Sequence, residues 1–401
     1  MFLWEHAFLN AITPKEIDMK NKDKSMMPNQ EEARRKRLKQ LRNWGILIAV
    51  VLIIIGAVNL FQFLTRTSSV TALSLPCYAH QDVTVFQDGV LYYDGASIHF
   101  VNAGGGIEWS YPVGDGASFS VSEDHLIIWS GTQLFIVNAK GKPTYNESMS
   151  APIQFARIGK KYAVIITGDD LKPTMILTDL EGTHLDTENR DYEGMLFLDC
   201  GFYGANNEYL WNLTYDLYNP AIATIMHTYQ VGQMFTGDVN LGEHLAYKVI
   251  YADNLLNVFT TQQMYIYDYK GVQNVNDTML VYGWKYLDHA APERGATQFL
   301  LAPTAQTNAV QSITELRVFS SSMDRRYTLP SACVGAAIDQ GRLYAFSDKY
   351  LYAGQVNNQR FYAHDMNLPD DRSVTAFVGL TNNGYAIVIS NNEVFSVSLP
   401  K

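Results

Sequence analysis

Four stretches of the chain align without a gap: IHFVNAGGGIEW from Ile98, LFIVNAKGKPTY from Leu134, MILTDLEGTHLD from Met175 and MYIYDYKGVQNV from Met264. Each is an apolar run, then Asn or Asp (Asn102, Asn138, Asp179, Asp268), then a glycine three residues on (Gly105, Gly141, Gly182, Gly271). β-Branched and aromatic residues followed by turn formers predict a strand that leaves through a tight turn. Around these stretches, units of apolar run, turn, apolar run, turn begin near Val83, Ala117, Pro152, Gly194, Asp238, Gly283, Ser331 and Ser373, at spacings of 34 to 48 residues. A repeat of about forty residues holding four short antiparallel strands cannot bury both of its faces, so the units must pack side by side around an axis. The sequence therefore predicts an all-β chain, a β-propeller of eight blades. Seven is the alternative, because the fifth and sixth units are irregular and Thr297 to Gln311 is poor in strand signal. The last unit supplies three strands before the chain ends, and TALSLPCYAH from Thr71 is an apolar strand with no unit of its own. It is expected to complete the last blade and close the ring, which brings the two ends of the domain together.

The other constraint is WGILIAVVLIIIGAVNLFQFL, Trp44 to Leu64, twenty-one residues without a charge. As a helix it reaches roughly 30 Å, the thickness of a bilayer core. Six cations precede it in nine residues (Arg34, Arg35, Lys36, Arg37, Lys39, Arg42), whereas after Arg66 no Lys or Arg occurs until Lys140. That asymmetry predicts a single-pass, N-in topology in the cytoplasmic membrane, with the same six cations meeting lipid head groups. The segment is longer than the usual signal-peptide core of roughly 7–15 residues, so an uncleaved anchor is expected. The expected organisation is a largely disordered cytoplasmic basic tail (1–43), a transmembrane helix (44–64), a spacer (65–70) and an extracytoplasmic propeller (71–401). Gly45, Ala49, Gly56 and Asn59 fall on one side of the transmembrane helix and form a candidate seam for helix association.

Charge divides with the domains. Residues 1–66 hold 11 Lys+Arg and 6 Asp+Glu, and the remainder 19 against 34. An acidic domain argues against a nucleic-acid partner, which needs clustered cations for phosphate contacts, and none is expected. Three widely spaced cysteines make neither a disulfide framework nor a CxxC pair.

The pattern of apolar run, Asn or Asp, Gly turn and sometimes Trp (VNAGGGIEW, VNAKGKPTY) resembles the repeat of quinoprotein-type, PQQ-like propellers, and lacks the Trp-Asp dipeptide of WD40 blades. The chain is similar to single-pass membrane proteins of Gram-positive bacteria that carry an exported propeller of this kind. More distantly it resembles the lipoprotein propeller of the outer-membrane assembly machinery, a non-catalytic scaffold. The resemblance covers residues 71–401 and implies a fold rather than an activity.

Chemistry-bearing motifs are sparse. Quinoprotein dehydrogenases hold their cofactor with a vicinal disulfide and calcium-binding carboxylates, and no adjacent cysteines occur here, so no cofactor is expected. HExxH, GxSxG, Walker and EF-hand patterns are absent from the sequence, and no metal site and no catalytic residue is assigned. His99, His125 and His184 are expected as surface or hydrogen-bonded residues, and Asp169-Asp170 and Asp370-Asp371 as turn residues. The 25 tyrosines serve sheet packing and, at blade edges, recognition. The expected role is a membrane-anchored extracytoplasmic scaffold of the cell envelope that binds a protein, a peptide or a wall polymer. The alternative is an enzyme acting on cell-wall glycans.

Overall fold

A computed structural model describes residues 70–185, 192–218, 223–233, 235–273, 278–292, 294–304 and 312–400, together with 43, 44, 46, 48–52 and 54–56. The chain divides into two compact units, Met1–Arg66 and Thr67–Lys401. In the first, the described residues between 43 and 56 are helical and their side chains are exposed. Ala49 and Gly56 lie on this helix, and a Cβ added at Gly56 would meet nothing within 4 Å. Gly45, Asn59 and the cations Arg34, Arg35, Lys36, Arg37, Lys39 and Arg42 lie outside the described residues. Among the described residues, no helix is long and apolar enough to cross a membrane.

The second unit is an eight-bladed β-propeller. Its blades are antiparallel sheets spanning 84–112, 118–148, 153–179, 195–240, 246–280, 284–333, 335–365 and, for the eighth, 376–398 joined by Ala72–Tyr78. Eight blades are present, not seven. Ala72–Tyr78 pairs with Glu393–Ser398 as the outermost strand of blade 8, as its unpaired apolar sequence predicted. Thr71 donates its amide to Ser398 Oγ at 3.0 Å, so the two ends of the ring meet.

Two expectations need correction. The fifth unit begins at Ala246, and Asp238 belongs to the fourth strand of blade 4, Phe235–Asn240. Blade 4 is stretched because its first three strands run to eight or nine residues. The region from Thr297 holds a strand, Gln298–Pro303, whose four central residues are all buried. With both of its faces covered, that strand shows no alternation. Blade 3 carries three strands among the described residues, and at the fourth position a single bridge links Thr178 and His184.

The aligned Asn/Asp–Gly signature has one structural cause. In each of the four stretches the Asn or Asp ends or directly follows the third strand, and its side-chain oxygen accepts the amides two and four residues on. Asn102 takes Gly104 and Gly106, Asn138 takes Lys140 and Lys142, Asp179 takes Glu181 and Thr183, and Asp268 takes Lys270 and Val272. The glycine of each turn has φ between +73° and +86°, the left-handed region that an L side chain resists.

Burial follows the ring. Eight apolar clusters lie at the eight blade-to-blade junctions, each drawn from two adjacent sheets. Leu91, Ile98 and Phe100 of blade 1, for example, pack on Leu126, Ile128 and Val137 of blade 2. Leu75 and Cys77 of the closing strand, with Ile387 and Val394, pack on Val90 and Val101. Cys77, Cys200 and Cys333 sit in three different junctions and are free thiols.

Candidate functional site

In a four-stranded antiparallel blade, the turns joining strands one to two and three to four lie at one end. The turns joining strands two to three, and the links to the next blade, lie at the other. Chain entry at Val70 precedes the fourth strand of blade 8, so it falls at the first end. Large exposed apolar side chains gather at the second end, over blades 3 to 5. Leu171 (60% exposed), Leu217, Tyr218 (68%), Leu245, Leu280 and Tyr282 (73%) all occupy connections of that kind or their margins.

These positions are built by local chemistry. Asp169 Oδ1 accepts the amides of Leu171 and Lys172 and closes the tight hairpin that carries Leu171. Asp216 Oδ1 accepts the amide of Tyr218 at 3.0 Å and turns that ring outward. Gly194, in the link between blades 3 and 4, ties the two together: its amide donates to Leu171 O and its carbonyl accepts from Leu217 N, both at 2.8 Å. The Tyr218 ring then lies against Gly194, where an added Cβ would stand 2.1 Å from Cε2. Lys172 and Glu193, 3.8 Å apart, supply charge beside this apolar strip. The result is an exposed apolar strip with a charged margin, held in place by backbone hydrogen bonds.

The cysteines, Asp169 and the pair Asp370-Asp371 are engaged within the fold. Burial pushes the thiols of Cys77 and Cys333 up to about 12 and that of Cys200 higher still, so none offers a thiolate. Asp169 caps its hairpin. Asp370 and Asp371 sit in a turn, paired with Arg372 and Lys349. Among the described residues, no group of three His, Cys, Asp or Glu side chains is placed to hold a metal ion.

His99 is hydrogen-bonded as expected, in a specific way. Its Nε2 meets Asp94 Oδ2 at 2.7 Å and its Nδ1 meets Ser110 Oγ at 2.6 Å. The side-chain hydrogen bond from His99, then the amides of Ala96 and Ser97, hold the Asp94 carboxyl down to about 2. The connectivity is that of a hydrolase relay. Ser110, however, stands on the outermost strand of blade 1, and the neighbouring amides of Ala96 and Ser97 are engaged by Asp94 Oδ1 rather than left to receive an oxyanion.

Around the axis, the innermost strands of blades 4 and 6 carry a matching pair of bulges. Leu198-Asp199 and Leu287-Asp288 each follow a register shift, and each Asp accepts the next amide in the chain. Asp199 Oδ1 then takes Arg157 Nε of blade 3 at 2.8 Å, and Asp288 Oδ2 takes the amide of Ile338 of blade 7 at 3.0 Å. Burial raises the Asp288 carboxyl above its ordinary range, against those amide hydrogen bonds. Both carboxylates brace neighbouring blades. Sequence reasoning missed this pair, although the repeated Leu-Asp at equivalent places was its visible trace.

Tyrosines are found both packed between blades and exposed at the connections. Tyr203, Tyr209 and Tyr251 pack ring to ring between blades 4 and 5, at 5.2 and 5.3 Å between centroids, and Tyr218 and Tyr282 stand in solvent.

No family model and no curated protein matches the chain. Among solved structures, Sqt1 of Saccharomyces cerevisiae superposes with a TM-score of 0.54 at 11% identity, over 83% of this chain and 99% of that one. BamB of Moraxella catarrhalis gives 0.48 at 10% identity, over 82% and 96%. The Pan2 WD40 domain of Neurospora crassa gives 0.49 at 8% identity, over 84% and 97%. At these identities the likeness to Sqt1 speaks for the fold alone.

Proposed function

We propose that this chain is a membrane-anchored scaffold of the cell envelope, non-catalytic, whose propeller sits outside the cytoplasmic membrane and binds a protein partner. The anchor is the uncharged run Trp44–Leu64 behind its six cations, which supports an N-in, single-pass topology. The observation that carries the binding role is the strip Leu171–Gly194–Leu217–Tyr218, an apolar surface at the end of the ring away from chain entry. Buried thiols and turn-bound carboxylates support a binding role over a glycan-cleaving one.

The test is photocrosslinking of the full-length chain in its own membranes, with the crosslinker placed at Tyr218 or at Tyr282. One discrete adduct from both positions, absent when Leu171 and Leu217 are changed to Ser, is expected. An adduct that survives those changes, or that forms equally from Ile107 on the outer strand of blade 1, contradicts the assignment. Release of glycan fragments by the purified chain would replace the scaffold with an enzyme.

A further inference from the structure

The arginines of the ring are not distributed like its other charges. Arg157, Arg317 and Arg372 are each held by carboxylates, and Arg326 lies over the Trp284 ring at 5.3 Å. Arg294, Arg325, Arg342 and Arg360 have no carboxylate within ion-pair distance among the described residues. The first three line adjoining cavities where blades 6 and 7 meet.

The outer cavity, about 360 Å³, holds Arg325 and Arg342 with the amides of Gln298, Gln340, Gln355 and Asn357, and no acidic side chain lines it. It continues through Gln340 and Arg342 into a second cavity of about 640 Å³ that adds Arg294, with Asp339 on its wall. Two backbone carbonyls hold the guanidinium groups in place: Arg325 Nη1 donates to Val356 O at 3.0 Å and Arg342 Nη1 to Pro400 O at 3.4 Å. Each guanidinium keeps further N–H donors.

Two observations on the cavity wall point the same way. Gln340, shared by both cavities, has φ +44° at the tip of a two-residue turn with Gly341. A glutamine held left-handed there costs backbone energy that Asn or Asp would lower. Gln298 Oε1 is buried without a hydrogen-bond partner. An amide presents NH2 in place of oxygen after a half-turn, so this position can become a donor.

We infer that the groove between blades 6 and 7 is a binding site for a phosphate-bearing ligand. One phosphate lies between Arg325 and Arg342, and a following one reaches Arg294. Planar guanidinium forks suit phosphate oxygens, and a site with unpaired cations in an acidic domain binds an anion without first breaking an ion pair. The groove opens at the end of the ring where the chain enters, so lipid head groups and soluble phosphates are both candidate sources of this chemistry. The site is separate from the apolar strip, and its test does not depend on a partner protein.

Full-length chain purified in an uncharged detergent, titrated calorimetrically with tripolyphosphate at low and high ionic strength, tests the site. One-site binding that weakens with salt is expected, with Arg325→Gln and Arg342→Gln each lowering affinity about tenfold. Arg360→Gln, on the outer strand of blade 7 and lining neither cavity, leaves it unchanged. All three guanidinium groups are exposed, so unaltered thermal unfolding of the variants confirms that the fold is kept. Mixed micelles containing phosphatidylglycerol assign the source: competition with tripolyphosphate in the wild type identifies a head group, and its absence a soluble phosphate. No binding, or an affinity indifferent to Arg325 and Arg342, overturns the inference.

Discussion

The indole Nε1 of Trp109, on the outer strand of blade 1, donates to the carbonyl oxygen of Ala139 in blade 2 at 2.9 Å. Ala139 directly follows Asn138, the residue that caps its turn, and the Trp109 ring lies against Gly141 of the same turn. The equivalent carbonyl is taken at other junctions by different side chains. Ser396 Oγ reaches Ala103 O at 2.6 Å across the closure, Thr144 Oγ1 reaches Leu180 O at 3.0 Å, and Tyr203 OH reaches Tyr269 O at 2.7 Å. The capped turn thus serves twice, folding its own blade and receiving the preceding one. Trp109→Phe keeps the ring and loses the donor, so it is expected to cost about 1 kcal/mol, and Trp109→Ala about 3 kcal/mol. Urea unfolding of the two variants measures both, and equal losses would mean that the hydrogen bond contributes nothing.

Gly182 tests the same arrangement one junction on. It has φ +86°, and a Cβ there would stand 1.8 Å from Tyr145 Cε2 of blade 2. Gly182→Ala is expected to destabilise by at least about 2 kcal/mol, from overpacking together with left-handed strain. In a Tyr145→Ala background the clash is gone and about 1 kcal/mol of strain remains. Additive effects in this double-mutant cycle would show that the ring does not lie on the turn.

The three thiols are expected to be silent. In native protein near pH 8, Cys77, Cys200 and Cys333 should resist a thiol reagent, because burial raises each of them far above that pH. All three should react once the chain is unfolded in denaturant. Rapid labelling of the native chain would mean that the junctions open.

Two carboxyls should give opposite pH responses. Asp94 is held down to about 2 in the fold, so its contribution is present above its unfolded value and is lost as pH falls toward 2. Asp94→Asn should therefore flatten the acid limb of the stability curve. Asp288 is raised by burial, so ionising it opposes folding as pH rises through its folded value. Asp288→Asn gives up one of the two amide acceptors and is expected to cost stability, but less at pH 7 than at pH 4. Urea midpoints across that range check both, and a cost of Asp288→Asn that is larger at pH 7 would contradict the sign.

The blade pattern was legible in sequence because one side chain, Asn or Asp at the end of the third strand, does the same capping work in four blades. The closing strand was legible because LSLPCY alternates and had no unit of its own. Legibility failed where strands lengthened, as in blade 4, or were covered on both faces, as in Gln298–Pro303. The apolar strip escaped because Leu217 and Tyr218 look like the end of a strand until Asp216 turns them outward. The arginine groove is assembled from separate turns of two blades. Its sequence trace is that residues 284–342 hold six Lys+Arg against five Asp+Glu in an otherwise acidic domain.

Membrane topology is the most direct test of a tethered, outward-facing scaffold. With tags at both termini of the full-length chain, protease added to intact spheroplasts is expected to remove the C-terminal tag and spare the N-terminal one. Protection of both tags until the membrane is permeabilised would place the propeller in the cytosol and contradict the account.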